Sequence, residues 1–391
     1  MSLYSAVARP VLFALDAERA HNLTLAALRL PAMPALLAIG GGHEDSRLRQ
    51  QVFGLTFRNP IGLAAGLDKQ GTAVAAWSSL GFGFAEIGTV TPRPQPGNPP
   101  PRLFRLRADH AVINRFGFNS EGADAVAANL AVGKGVSDSP RGPDPSTSSG
   151  SSRAQSRDDK ARATGLRVGI NIGKNKTTPN EQAVEDYVTA VEALHSFADY
   201  IVINVSSPNT AGLRALQERD TLRPLVEQVV QAVKTAAGRD IPVLVKVSPD
   251  MSEDDLLGSV DAAVEGGARG VIATNTTASR DGLRSSTRLR TETGGLSGAP
   301  LRDRADAVCR ALYRHLRGGI PIVGVGGIFT ADDAYGRIRS GAALVQLYTG
   351  FIYEGPALVS RLTTGIAERL EQDGLSSIAD AVGLDADRTP T

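Results

Sequence analysis

Residues 200–210 read YIVINVSSPNT. Tyr200 to Val205 is apolar or β-branched apart from Asn204, the pattern of a buried strand, and Pro208 cannot continue a sheet ladder. Ser207 therefore stands at a strand end. Working outward, the same signature recurs: short apolar runs stand at 61–66, 84–90, 168–173, 200–207, 243–249, 270–276, 322–328 and 344–350. Helical patterns fall between and after them, for example at 181–197, 219–237, 252–267, 301–317 and 353–371. Eight strands alternating with helices predict an α/β fold, a closed (β/α)8 TIM barrel rather than a doubly wound sheet. The stretch LRQQVFGLTFRN is expected to form a small hairpin closing the barrel bottom.

The bulk numbers agree with one large enzyme-sized domain. Of 391 residues 42% are apolar, and 42 basic residues nearly cancel 41 acidic ones, so no global charge favours nucleic acid. A single cysteine, Cys309, excludes a disulfide framework and a thiolate metal cage. Its helical spacing reads as a core thiol, and no metal site is expected.

Three segments stand apart from the barrel at 43–372. Residues 1–42 are rich in Leu and Ala, without the roughly 20-residue uncharged run of a spanning helix. They predict two short helices, with Asp16 capping the second. These expose more apolar surface than they can bury in each other, which leaves two readings: a hairpin packed on the barrel, or a membrane-surface segment. Residues 133–165, dense in Ser, Pro, Gly and charge, read as a disordered insertion at the barrel face opposite the chemistry. The tail at 373–391 adds at most a helical turn.

In a (β/α)8 barrel the chemistry lies at the C-terminal strand ends. Polar groups recur there: Asp68 and Lys69, Thr89, Asn171, Asn204 and Ser207, Lys246, then Thr274, Asn275 and Thr276. The glycine-rich turns GVGGI (324–328) and YTG (348–350) stand after strands 7 and 8, where barrel loops commonly bind phosphate through backbone N–H groups. Lys246, inside an apolar run, calls for an anion beside it, as a reduced flavin would be. Asn114, Asn204, Asn209 and Asn275 offer donors and acceptors to a planar ring, and Lys69 suits a carboxylate.

GLAAGLDK, IGTVTPRPQPGNPPPRLFR, NRFGFNS, GINIGKNK, NVSSPNTAGLR, VIATNTT, TGGLSG, GVGGI and LVQLYTGF together resemble the class 2, quinone-dependent dihydroorotate dehydrogenases, up to about residue 371. The resemblance implies oxidation of dihydroorotate to orotate in pyrimidine biosynthesis. It implies FMN held by residues matching Ala65, Gly66, Thr89, Asn171, Asn204, Lys246, Thr274, Gly298, Gly327, Tyr348 and Thr349. Substrate would be held by Lys69, the loop Asn114, Arg115, Phe116, Gly117 and Phe118, then Asn204, Asn209, Asn275 and Thr276. The catalytic base matches Ser207, with Thr210 a candidate for passing its proton on.

The resemblance also places the N-terminal helices at the cytoplasmic side of the cell membrane. There they would form a tunnel for a membrane quinone, with His21, Arg105 and Tyr348 near it. The oligomeric state is left open, a monomer being compatible. Two other enzyme readings fit less well. A class 1 relative using fumarate or a nicotinamide would carry a cysteine base where Ser207 stands, and an FMN-dependent 2-hydroxy-acid oxidase would need a histidine at a strand end. A non-catalytic phosphate-binding barrel is the remaining reading. The chain carries no G-x-G-x-x-G fingerprint after a strand.

Overall fold

The computed structural model describes residues 4–38, 44–133, 165–210 and 212–388, so the expectation for 133–165 lies outside the described residues apart from its ends. In chain order, the elements begin with α1 (Arg9–Ala14), α2 (Ala17–Leu28) and α3 (Met33–Ala38). The hairpin β1 (Gln50–Val52) and β2 (Leu55–Phe57) follows, then β3 (Ile61–Leu63), α4 (Val74–Ser79) and β4 (Phe84–Val90). Next come β5 (Leu103–Leu106), β6 (Ala111–Asn114), α5 (Ala123–Gly133), β7 (Arg167–Ile172), α6 (Ala183–Leu194), β8 (Tyr200–Asn204) and α7 (Arg219–Ala237). The chain continues through β9 (Val243–Val247), α8 (Glu253–Glu265), β10 (Gly270–Ala273), α9 (Thr287–Arg290), β11 (Gly295–Gly298) and α10 (Arg302–Leu316). It closes with β12 (Ile322–Val325), α11 (Ala331–Arg339), β13 (Ala342–Leu347), α12 (Thr349–Glu354) and α13 (Leu358–Gln372).

Strands β3, β4, β7, β8, β9, β10, β12 and β13 close, in that order, into a parallel barrel. This is the expected (β/α)8 architecture. Alternate residues of each strand face inward. At the bottom Phe53 and Phe57, from the β1–β2 hairpin, pack with Phe84, Tyr200, Leu244 and Leu344, so the hairpin closes the barrel as expected. Phe57 stands edge-on to Phe84 with ring centroids 5.4 Å apart. Space for the rings comes from small neighbours: a Cβ on Gly169 would lie 2.0 Å from the Tyr200 ring.

Several expectations need correction. The N-terminal segment has a third helix, α3, because Pro34 falls in its first turn, where proline is tolerated. Asp16 caps α2 as expected, accepting from the N–H groups of Glu18 and Arg19 at 3.0 Å each. The expected helix at 353–371 is two helices, broken at Gly355-Pro356. Most barrel strands stop earlier than their apolar runs, although β4 keeps its expected bounds, so Ser207 lies three residues past β8 and Thr349 already opens α12. A three-stranded antiparallel sheet, β11-β6-β5, was not anticipated. The tail packs back, burying Ile378, Ala381 and Ala386, with a 3-10 turn at Ile378–Ala381. Cys309 is fully buried, and burial pushes its thiol up to about 11, as befits a core residue.

Among the described residues no helix is long and apolar enough to cross a membrane. The hairpin seal is testable: Phe57→Ala should destabilise the fold by about 3–5 kcal/mol in denaturant titrations. A loss below about 1 kcal/mol would show that the hairpin does not seal the core.

Candidate active site

Above the ring layer the barrel interior turns polar. Glu86 of β4 is fully buried and accepts from Asn171 Nδ2 at 2.8 Å and Gln346 Nε2 at 2.6 Å. Lys246 Nζ lies 3.8 Å from Glu86 Oε1. The anion that Lys246 called for is thus present within the protein, as Glu86. Asn171 Oδ1 accepts from Thr89 Oγ1 at 2.6 Å and from Asn204 Nδ2 at 3.1 Å. Asn204 Oδ1 in turn accepts from Asn275 Nδ2 at 3.3 Å. One hydrogen-bonded chain thus runs from the core to the strand ends.

On this floor rests a solvent-open cavity of about 940 Å³. Its wall includes Ala65, Gly66, Lys69, Thr89, Asn114, Phe116, Gly117, Phe118, Asn204, Ser207, Asn209, Lys246, Thr274, Asn275, Thr276, Gly298, Gly327, Tyr348 and Thr349. Two of the expected residues do not line it. Asn171 is spent in the floor beneath, and Arg115 turns away to pair with Glu292 at 2.6 Å and to lie over the Phe104 ring. Sequence reasoning missed Glu86, Gln346 and Ser297. The signal for the first two was present, a charge and an amide inside apolar runs, while Ser297 shows itself only through its 2.8 Å contact with Thr349 Oγ1.

The Ser207 loop is anchored from behind. Arg214 donates to the Ser206 carbonyl at 3.4 Å and to Asp250 Oδ2 at 3.0 Å. Ser207 Oγ accepts from the Asn209 N–H at 3.2 Å, and Asn209 Nδ2 donates to Asn114 Oδ1 at 3.1 Å. The Thr210 hydroxyl is buried without a partner among the described residues. Among the described residues no histidine, cysteine or carboxylate lines the cavity. Lys69 hydrogen-bonds to Asn119 and stands 4.2 Å from the Phe116 ring centroid. Burial, reinforced by nearby Arg102, pulls its amine down to about 7.

FMN, which the resemblance implies, can be tested against this cavity. The backbone N–H groups of Gly327, Ile328, Thr349 and Gly350 find no protein acceptor among the described residues, and no side chain caps α12. Such free donors fit a phosphate group, and Lys246 adds a cation in the same wall. The residues fit the cofactor. No group of side chains suited to a metal ion occurs among the described residues.

A second solvent-open cavity, of about 900 Å³ and mostly apolar, separates the N-terminal helices from the barrel. Leu12, Phe13, Ala20, His21, Leu25, Arg105 and Tyr348 are among its lining residues. Burial, with Lys69 nearby, lowers His21 to about 4, so its imidazole is neutral at pH 7. Arg105 donates to the carbonyls of Leu12 and Leu15 and lies 4.7 Å from the Phe13 ring centroid, fastening α1 to the barrel. Arg102 does the same for α2 through Glu18 at 2.7 Å. Tyr348 lines both cavities.

The family model for dihydroorotate dehydrogenase matches residues 47–370. The dihydroorotate dehydrogenase (quinone) of Deinococcus deserti is 49% identical, covering 98% of this chain and 100% of that one. That of Roseiflexus sp. is 48% identical, covering 98% of each chain. A crystal structure of DHODH from Eimeria tenella in complex with ferulenol has a TM-score of 0.81 at 38% identity, covering 95% of this chain and 96% of that one.

Lys69 gives the cavity a pH dependence. Its amine is protonated below about 7 and neutral above, so a carboxylate ligand gains most below that pH. By calorimetry the dissociation constant of orotate should rise, by up to about tenfold per unit, as pH climbs past 7, and Lys69→Met should flatten the profile. A flat profile in the unmodified protein would remove Lys69 from anion binding.

Proposed function

The chain belongs to the dihydroorotate dehydrogenase family, and from that premise we propose that it oxidises dihydroorotate to orotate with FMN as cofactor and a membrane quinone as electron acceptor. The observation that carries this reading is the shared wall: a polar cavity and an apolar one meet at the single side chain Tyr348. A hydrophilic donor and a lipid acceptor can then approach one redox centre from two sides without mixing.

Substrate binding falls to the amides and Lys69. Asn114, Asn204, Asn209 and Asn275 present donors and acceptors to a ring of alternating C=O and N–H groups, and the Lys69 ammonium pairs with the carboxylate. Donation to the substrate carbonyl acidifies the adjacent C5 proton. Ser207 Oγ takes that proton. With no histidine or carboxylate among the described residues of the wall, its own proton leaves along hydroxyls, and Thr210, three residues on and without a partner among the described residues, is a candidate. FMN, when bound, supplies the chemistry of accepting the hydride from C6 and delivering electrons to the quinone. The phosphate would be held by the N–H groups at Gly327, Ile328, Thr349 and Gly350, and Lys246 would hold positive charge beside the ring, tempered by Glu86.

The N-terminal helices fit a peripheral place on the cytoplasmic side of the cell membrane. Among the described residues, Val7, Val11, Leu15, Leu23, Leu30 and Leu36 are six of the eight large apolar side chains that stand exposed. They stand on the same N-terminal segment that lines the apolar cavity, which suits entry of a quinone from lipid.

Ser207→Ala should lower kcat by about 10²–10⁴ with FMN content unchanged, seen as slowed flavin reduction by dihydroorotate in stopped flow. Near-normal reduction would exclude Ser207 as the base. Ala20→Phe, which fills the apolar cavity, should raise KM for a quinone while leaving flavin reduction by dihydroorotate unaltered. Unchanged quinone kinetics would contradict the assignment of that cavity.

A further inference from the structure

Two arginines that do not line the polar cavity hold its wall from behind. Arg337 of α11 is fully buried and donates from Nη2 to the carbonyl of Gly326 at 2.9 Å and of Arg302 at 3.1 Å, and from Nε to Asp306. Arg302, opening α10, donates from Nε to the Gly327 carbonyl at 2.9 Å and pairs with Asp333 Oδ1 at 2.9 Å. Asp333 Oδ2 accepts the N–H groups of Phe329 and Thr330, each at 2.9 Å. The turn after β12 is thereby clamped on its outer side by α10 and α11.

The clamp has a consequence for the inner side. In a trans peptide the C=O and the following N–H point in opposite directions, and neither peptide bond following Gly326 or Gly327 is cis. Pulling the carbonyls of Gly326 and Gly327 toward the helices turns the N–H groups of Gly327 and Ile328 the other way, toward the cavity that both residues line. Neither N–H has a protein acceptor among the described residues. The approach is close: at residue 327, with φ +75°, a Cβ would sit 2.5 Å from Arg302 Cα. Burying the Arg337 guanidinium with Nη1 unpartnered costs stability, and its planar fork spans carbonyls that a lysine could not hold together.

We propose that Arg302 and Arg337 are positioning residues that aim this backbone cradle at a phosphate monoester. The inference rests on the FMN reading and adds what orients its phosphate. Each guanidinium is offset by a carboxylate, Asp333 or Asp306, so the pair contributes fixed orientation of N–H dipoles rather than a net positive field.

FMN and riboflavin differ only by the phosphate, which isolates the effect. Full-length protein stripped of flavin is refilled with either one, and quenching of flavin fluorescence gives two dissociation constants. Arg302→Gln should weaken FMN binding by at least about tenfold and riboflavin binding by less than about twofold, so that the preference for FMN falls. Arg302→Lys, which keeps a cation and loses the fork, should shift the preference in the same direction. Equal losses for both flavins, or an unchanged preference in both variants, would overturn this inference and leave the phosphate reading standing. A wild-type protein with no preference for FMN would overturn the phosphate reading and this inference with it.

Discussion

A carboxylate buried without solvent governs the design of this barrel. Glu86 is fully enclosed, and an unpaired charge there would be prohibitive. Its partners come from three other strands: Asn171 of β7 and Gln346 of β13 donate hydrogen bonds, and Lys246 of β9 supplies the opposite charge. The pairing requires closure, since only a closed sheet brings β9 and β13 within reach of β4. From Asn171 the hydrogen bonds continue through Thr89 and Asn204 to Asn275, so the loop amides inherit their positions from the core. Loss of one partner would leave a charge or amide unsatisfied along the whole chain.

This dependence explains what the sequence discloses and what it withholds. The eight apolar runs identified the barrel strands because each is local. Six of their ends were misjudged by two or three residues: Ser206, Ser207 and Gly326 to Ile328 continue an apolar or small-residue run while belonging to turns. Lys246 announced that it needed an anion, yet nothing local shows that Glu86, far away in sequence, supplies it. The β11-β6-β5 sheet escaped notice for the same reason, since β11 and β6 are four-residue strands paired across a long separation. Most of the cavity wall was legible through the family resemblance. Arg115 was misplaced because a motif fixes the loop but not which way each side chain turns.

The N-terminal helices follow a different rule. They are joined to the barrel by polar fastenings at their edges: Tyr4 Oη to the Ile352 carbonyl at 2.6 Å, Arg9 to the Tyr353 carbonyl at 3.0 Å, and the Arg102 and Arg105 contacts. Apolar packing adds to these fastenings, with Phe13 buried among Leu103, Val112, Phe116 and Tyr353, and an apolar volume still remains between the helices and the barrel. The helices dock on the barrel and still expose apolar side chains.

The central claim, one flavin between a polar donor site and an apolar acceptor site, is tested most directly by anaerobic mixing with dihydroorotate while flavin absorbance is followed, then adding a soluble quinone, fumarate or NAD in separate trials. The account predicts bleaching by dihydroorotate and recovery on quinone alone. A colourless protein, a flavin that stays oxidised, or recovery only on fumarate or NAD would contradict it.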